Sequence, residues 1–180
     1  MKNVLFGKSK IVFFVVCAAL IFCVLGQSAY CQKIKKYKPE TIVKISDDLD
    51  ADEFQIFVLV NAQRTQRGLQ ALVLDDDVAD IARDYSKKMA KENFFSHYDA
   101  DGNSIMERAK AARLKHWIKI GENLFSVENV VEFDAFAVKN WMNSPAHRQN
   151  ILDRDWTTTG IGIAKSKAGE IFITQVFIRR

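Results

Sequence analysis

Two segments rich in β-branched residues near the C-terminus limit most strongly what this chain can fold into. They cover residues 157–164 and 171–178, and a short stretch that contains Gly169 separates them. β-branched side chains favour extended backbone, and a glycine between two such segments favours a turn. We therefore expect a β-hairpin, to which residues 119–125 could add a third strand.

Helical periodicity dominates the chain before this hairpin. Apolar spacing and capping residues predict helices over 51–67, from the aspartates at 75–77, from 104 to about 112, from about 128, and after Ser144 and Pro145. Helices followed by a separate group of strands are typical of the α+β class. We expect Gly68 to end the first helix, since glycine is the common residue just past a helix C-terminus.

The first 31 residues have the layout of an export signal. Three lysines at positions 2, 8 and 10 precede an uncharged apolar run over 11–25, and small and polar residues follow. The run is short for a membrane-spanning helix, which needs about 20 residues. An uncleaved anchor and a lipoprotein based on Cys23 or Cys31 stay alternatives. We predict a signal peptide or N-terminal anchor over 1–31, a linker over 32–50 and one domain over 51–180.

All three cysteines, Cys17, Cys23 and Cys31, lie in or beside this leader. The predicted domain therefore has no cysteine, and its core alone must hold it together outside the cytoplasm. The 13 phenylalanines and 3 tryptophans supply material for such a core. We expect a secreted or cell-envelope protein.

The charge of the chain argues against a nucleic-acid partner. The net charge is +4, and the leader lysines account for most of it. A domain close to neutral lacks the electrostatic attraction on which nucleic-acid binding depends. The basic stretch over 33–38 reads as a tether that could rest on anionic lipid. We expect membrane contact only through the leader, if it is retained or lipidated.

Two histidines and one glutamate stand out as candidate site residues. They are His97, Glu122 in Gly-Glu-Asn, and His147 in Ser-Pro-Ala-His-Arg. Two imidazoles and a carboxylate are the minimum for a divalent metal site or a general acid/base pair. Glu122 lies in an apolar stretch, so it needs a partner, which could be a histidine, a metal or an arginine such as Arg108 or Arg148.

His147 has a local context that favours a neutral ring. Ser144 is a plausible N-cap and Pro145 suits the first helical position, which places His147 third in the helix. The positive end of the helix dipole disfavours imidazolium there. His116 has no motif around it, and we interpret it as structural.

Six short sequence motifs, here called phrases, follow one another between residues 54 and 178. They are Val-Asn-Ala-Gln-Arg at 60–64 with Gly-Leu at 68–69, Ser-His at 96–97, Gly-Glu-Asn at 121–123, Trp141 with Ser-Pro-Ala-His-Arg at 144–148, Gly-Ile-Gly at 160–162, and Thr-Gln-Val-Phe at 174–177. Together they resemble the CAP superfamily (cysteine-rich secretory, antigen 5 and pathogenesis-related-1 proteins), in particular its cysteine-free bacterial branch. The resemblance implies an α-β-α sandwich with a small antiparallel sheet between helical layers.

The resemblance also implies a cavity at the three candidate residues. Eukaryotic relatives have a further histidine where this chain has Phe172, and a second glutamate where it has Ser144, so their four-residue cavity is not reproduced. His147 resembles a bacterial substitute for the missing histidine. His97, Glu122 and His147 would then form the ligand set of many catalytic zinc sites, and zinc or another divalent metal is the cofactor that we consider. No H-E-x-x-H helix supports zinc.

Three functions stay open at this point. The leading one is a secreted or envelope-associated domain that binds a small ligand, lipid or cell-surface partner through a cleft lined by His97, Glu122 and His147. The second is a metal-assisted, peptidase-like hydrolase in which Glu122 is base or ligand. The third is an interaction module in which these residues only stabilise the fold. A serine hydrolase at Ser96 or Ser144 is disfavoured, since no G-x-S-x-G elbow surrounds either serine.

Overall fold

The computed structural model describes residues 49–180. The predicted leader over 1–31 and nearly all of the predicted linker over 32–50 lie outside these residues. The helices in this part of the chain are α1 (Leu49–Thr65), α2 (Asp76–Glu92), α3 (Ile105–Ala111), α4 (Phe133–Asn143) and α5 (Pro145–Leu152). The strands are β1 (Val73–Leu74), β2 (Lys119–Val127), β3 (Thr158–Lys165) and β4 (Ile171–Arg179).

The strands form one sheet in the order β1-β3-β4-β2. The predicted hairpin is confirmed, because β3 pairs antiparallel with β4, and the predicted third strand is β2, which pairs antiparallel with the other side of β4. The two-residue β1 runs parallel to β3, so the sheet is mixed rather than wholly antiparallel. The sequence could not predict β1, since two residues show no alternation.

Helices cover both faces of the sheet and give the α-β-α sandwich. On one face, α1, α4 and α5 pack on β3 and β4 around Trp141, Ile161 and Phe177, which are at most 1% exposed. On the other face, α2 packs on the sheet through two smaller clusters, one around Val78 and Val176 and one around Tyr85 and Phe172. The α+β class and the layered fold agree with the sequence analysis.

The Gly-Ile-Gly phrase lets α2 approach the sheet closely. A Cβ at Gly160 would lie 2.2 Å from the Ala79 nitrogen, and one at Gly162 would lie 2.0 Å from the Arg83 nitrogen. Any side chain at either position would collide with the helix backbone. Ser86 of α2 uses the same approach to donate a hydrogen bond to the Gly162 carbonyl at 2.8 Å.

The Val-Asn-Ala-Gln-Arg phrase of α1 fixes the loops at one end of the sandwich. The Asn61 amide bonds both the Leu72 carbonyl and the Leu72 N–H, at 3.0 and 2.8 Å. Arg64 is 1% exposed and donates to the carbonyls of Ile151 and Asp153 at 2.7 and 2.8 Å. These bonds satisfy carbonyl groups at the end of α5, which is one way that proteins treat the unpaired carbonyls of a helix terminus.

One local expectation from the sequence was wrong, and a second holds only in part. The helix expected from about residue 128 begins at Phe133, because Asn129 has φ 57°, which interrupts a right-handed helix. Ser144 holds the N-cap position of α5 but makes no side-chain capping bond. The capping box at Ser104 and Glu107 is present as expected. Among the helices of residues 49–180, none is long and apolar enough to cross a membrane.

Candidate functional site

Glu122 is a buried carboxylate on the edge strand β2. Its side chain is 2% exposed, and it lies on the face of the sheet where α3 contributes Arg108. The Arg108 Nη2 lies 2.5 Å from Oε2 of Glu122, and the His97 Nδ1 lies 2.8 Å from Oε1. Both carboxylate oxygens therefore have a partner. From the sequence we expected this buried carboxylate to have a partner, and it has two, an arginine and a histidine.

Arg108 organises the groups around this carboxylate. Its Nη1 donates to the carbonyls of Asn103 and His97 at 3.0 and 3.3 Å, and its guanidinium carbon lies 3.3 Å from the centroid of the Tyr85 ring. A planar guanidinium can bond a carboxylate and stack on an aromatic ring at the same time, which lysine cannot do. Arg108 thereby fixes both Glu122 and the backbone of the loop that carries His97.

Tyr85 also holds the loop that carries His97. Its hydroxyl donates to the Ser96 carbonyl at 2.6 Å, one residue before His97. Tyr85 is 1% exposed, and burial raises its pKa to about 12, so it stays a neutral donor. The backbone at residues 96–97 is thus held from two sides, by Tyr85 and by Arg108.

His97 is oriented rather than free. Its side chain is 51% exposed, yet its Nδ1 is hydrogen-bonded to Glu122. A carboxylate can only accept hydrogen bonds, so Nδ1 carries a proton, and in the neutral ring Nε2 is the nitrogen that keeps a lone pair. A carboxylate that fixes the tautomer and direction of an imidazole is the arrangement found behind many metal-binding histidines.

His147 is half-buried in the first turn of α5. Burial lowers its pKa below the usual value, and a positive charge on His97 would lower it further. Both histidines lie beside the edge strand β2, because the Glu122 side chain bonds the His97 ring and the next residue of the strand bonds the His147 backbone. Asn123 donates to the His147 carbonyl at 3.1 Å, and Asn150 donates to the Glu122 carbonyl at 3.1 Å. The Gly-Glu-Asn phrase therefore connects with both α3 and α5.

The candidate residues do not form a ready three-ligand metal site. Within residues 49–180, no group of three or more His, Cys, Asp or Glu side chains is arranged to hold a metal ion. A metal bound to Glu122 would have to replace the bond from Arg108 or from His97. A narrower donor set would leave the bonds of Glu122 intact, with Nε2 of His97 and the His147 ring as ligands and Glu122 behind His97.

The remaining histidine lies elsewhere. His116 is exposed at φ 59° and borders a pocket with Asp77, Asp80 and Asp84, away from His97 and His147. Phe172, which replaces the further histidine of eukaryotic relatives, is 1% exposed in the core with Tyr85. Arg108 was expected from the sequence as a possible partner for Glu122, but the roles of Tyr85 and Asn103 were not. Tyr85 meets Arg108 only in the folded chain, and Asn103 bonds Arg108 through a backbone carbonyl, which any residue offers.

The fold has counterparts among known proteins. The family model described as "CAP: Cysteine-rich secretory protein family" matches residues 57–177. The chain belongs to this family. It is 34% identical over 128 residues to the uncharacterized membrane protein YlbC of Bacillus subtilis, covering 71% of this chain and 34% of that protein. It is 33% identical over 141 residues to the uncharacterized protein YkwD of the same organism, covering 78% of this chain and 52% of that protein.

Solved structures agree with the fold. An extracellular protein containing an SCP domain from Bacillus anthracis superposes with a TM-score of 0.65 at 30% identity, covering 73% of this chain and 41% of that chain. An outer surface protein from Borrelia burgdorferi superposes with a TM-score of 0.66 at 21% identity, covering 74% and 96%, and supports the fold alone. The chain spans about a third to a half of the length of the two Bacillus subtilis relatives.

Proposed function

We propose that this chain is an extracytoplasmic CAP domain that binds a ligand in the predicted cleft at His97 and His147, beside β2. The observation that carries the proposal is the 2.8 Å bond between the His97 Nδ1 and the buried carboxylate of Glu122. That bond holds Nδ1 against the carboxylate and leaves Nε2 as the free nitrogen of the exposed ring. The bond satisfies one oxygen of a buried carboxylate, and it also holds an exposed ring in one direction, which would prepare that ring for binding.

The chemistry of the cleft limits the ligand. A neutral His97 ring offers Nε2 as an acceptor, and the lowered pKa of His147 favours a neutral ring near pH 7. Two neutral imidazoles suit a divalent cation, or a small ligand, lipid headgroup or surface component that donates hydrogen bonds. With a metal bound, His97 and His147 would be its protein ligands, and the ion would supply open positions for a further ligand.

The hydrolase alternative has less support from the geometry. A general base must take up a proton, but the Glu122 carboxylate already accepts from Arg108 and His97, and the guanidinium stabilises its charged form. A metal-assisted hydrolase would therefore need His147, or a water held by the two histidines, as its base. The purely structural alternative explains the partners of Glu122 but gives no role to the exposed side of the His97 ring.

Zinc titration by calorimetry tests the binding proposal. Wild-type protein should bind zinc, and His97→Asn and His147→Asn should each weaken binding at least tenfold, since each removes one of two ligands. His116→Asn is the matched control and should leave the affinity unchanged. Equal affinity in wild type and in both site variants would contradict the role of the cleft.

Ligands that copurify with the protein test the non-metal form of the proposal. Mass spectrometry of solvent extracts should find the same bound compound in wild type and in His116→Asn, and a reduced amount in His147→Asn. An equal amount in all three proteins would place the ligand outside the cleft.

The location of the protein needs its own test. The layout of the leader supports export with a mature N-terminus between about residues 29 and 33. Amino-terminal sequencing of protein from the envelope and culture medium should find this new terminus. Recovery of the full chain from Met1 only in the cytosol would contradict export.

A further inference from the structure

A groove at the C-terminal end of α2 is lined only by cationic and small uncharged side chains. It has a volume of about 540 Å³ and lies between the last turns of α2 and the turn that joins β3 to β4. Four lysines line it, Lys87, Lys91, Lys165 and Lys167, and the other lining side chains are alanines, an asparagine and a serine. The site residues His97, Glu122 and His147 do not border it.

Carboxylates of the same protein do little to neutralise the positive charges of these four lysines. Lys87 lies 3.9 Å from Asp84, a long contact between two largely exposed side chains. Over residues 49–180, no carboxylate lies within ion-pair distance of Lys91, Lys165 or Lys167. Since the described domain carries nearly balanced charges overall, this concentration of one sign is a local feature.

The fold, rather than one helix, brings these charges together. Lys87 and Lys91 lie one turn apart near the C-terminal end of α2, where the helix dipole favours cations. The dipole does not account for Lys165 and Lys167, which come from the β3–β4 connection about 75 residues later in the chain. Like charges placed together repel one another, so a cluster built from two elements would be relieved by a bound anion.

We propose that this lysine groove binds a linear phosphate polymer, that is, a polyphosphate or phosphodiester chain without aromatic bases. Several ammonium groups in an open groove match successive phosphates better than one small ion. The lining has no aromatic side chain on which bases could stack, which disfavours single-stranded nucleic acid. It also has no large apolar side chain to insert into a lipid surface, which disfavours a membrane.

Fluorescence anisotropy with an end-labelled linear polyphosphate tests this proposal on the full chain. The groove variant combines Lys91→Gln, Lys165→Gln and Lys167→Gln. The control variant combines Lys110→Gln, Lys115→Gln and Lys139→Gln, three exposed lysines elsewhere, and has the same net charge. Both sets are made in a chain whose basic segment over 33–38 is neutralised by Lys→Gln changes, so that this segment does not mask the groove. Circular dichroism and thermal melts check that all proteins are folded.

The groove variant should bind polyphosphate about tenfold or more weakly, and the slope of log affinity against log salt should fall by about one for each lysine removed. The control variant should stay within about twofold of its parent. Equal weakening in both variants would overturn the proposal, because binding would then follow net charge alone. So would affinity no greater than for inorganic phosphate, tighter binding of an oligonucleotide of equal charge, or binding only to vesicles that contain anionic phospholipid.

Discussion

At the scale of single residues, the account depends on the ion pair between Glu122 and Arg108. Both side chains are largely removed from water, with 2% and 11% of their surfaces exposed. Arg108 also bonds the backbone of the His97 loop and stacks on Tyr85. The pair therefore acts as a support for the site, and its loss should affect stability and the direction of His97 together.

Glu122→Gln should lower the free energy of unfolding by about 3 kcal/mol, because it leaves the buried guanidinium of Arg108 without its counter-charge. Urea unfolding followed by tryptophan fluorescence measures this loss. Glu128→Gln changes an exposed carboxylate and should cost less than about 0.5 kcal/mol. Equal stability of the two variants would show that the pair contributes nothing measurable.

His147 should make stability depend on pH in a defined window. Its pKa is lowered in the folded protein, mainly by burial, so the unfolded chain binds its proton more readily. The contribution is fully present above the unfolded pKa of about 6.5 and is lost as pH falls from there towards the lower folded pKa. Unfolding free energies at several pH values should show this loss in wild type and a smaller one in His147→Asn. His116→Asn should behave as wild type, and an unchanged slope in His147→Asn would contradict the account.

At the scale of elements, the tightest constraint is the contact between α2 and the sheet at Gly160 and Gly162. The helix backbone occupies the space that a side chain would need. The resemblance pointed to the Gly-Ile-Gly phrase without giving a reason for it. The reason is that α2, the helix that carries Tyr85, packs so closely against β3 that no side chain fits between the two backbones.

Gly162→Ala should destabilise the protein by about 3 kcal/mol or more, because its Cβ would lie 2.0 Å from the Arg83 nitrogen and α2 would have to move. Gly121→Ala is the comparison, since its Cβ would meet the Trp156 ring at 3.0 Å and a side chain can shift more easily than a helix. In thermal melts, Gly162→Ala should therefore have a clearly lower melting temperature than Gly121→Ala. The reverse order would contradict the packing described here.

Local signals in the sequence predicted most elements correctly. Ser104 and Glu107 indicate the start of α3, and the β-branched segments indicate the hairpin, because the interactions involved are close in sequence. The signals failed where a single residue or a distant contact decides the outcome. Asn129 has a left-handed backbone, so α4 begins later than the apolar pattern indicates. The strand β1 exists only because β3 pairs with it. The contact of Tyr85 with the His97 loop forms only in the folded chain.

At the scale of the whole molecule, a core without covalent cross-links holds the described domain together. From residue 32 onward the chain has no cysteine. The layers around Trp141 and Phe177 on one face and Val176 on the other must supply its stability. The protein thus differs from the members of its family that are named for their cysteines.

Protein that begins at Gln32 should melt at the same temperature with and without a thiol reductant, because no disulfide can form within it. Differential scanning calorimetry on the monomer measures this directly, and an unrelated disulfide-bonded protein melted in the same buffers serves as the positive control. A shift of several degrees in the cysteine-free protein would contradict a stability that comes from packing alone.

The central claim is that a buried ion pair orients His97 with its Nε2 outward, and the protonation of the ring nitrogens tests it most directly. Long-range nitrogen–proton NMR spectra of the imidazoles at neutral pH distinguish the two neutral tautomers. The account predicts that His97 is protonated at Nδ1 and bare at Nε2, and that Glu122→Gln removes or weakens this preference while His116 does not change. A His97 ring protonated at Nε2, or one that averages between tautomers as a free histidine does, would contradict the claim.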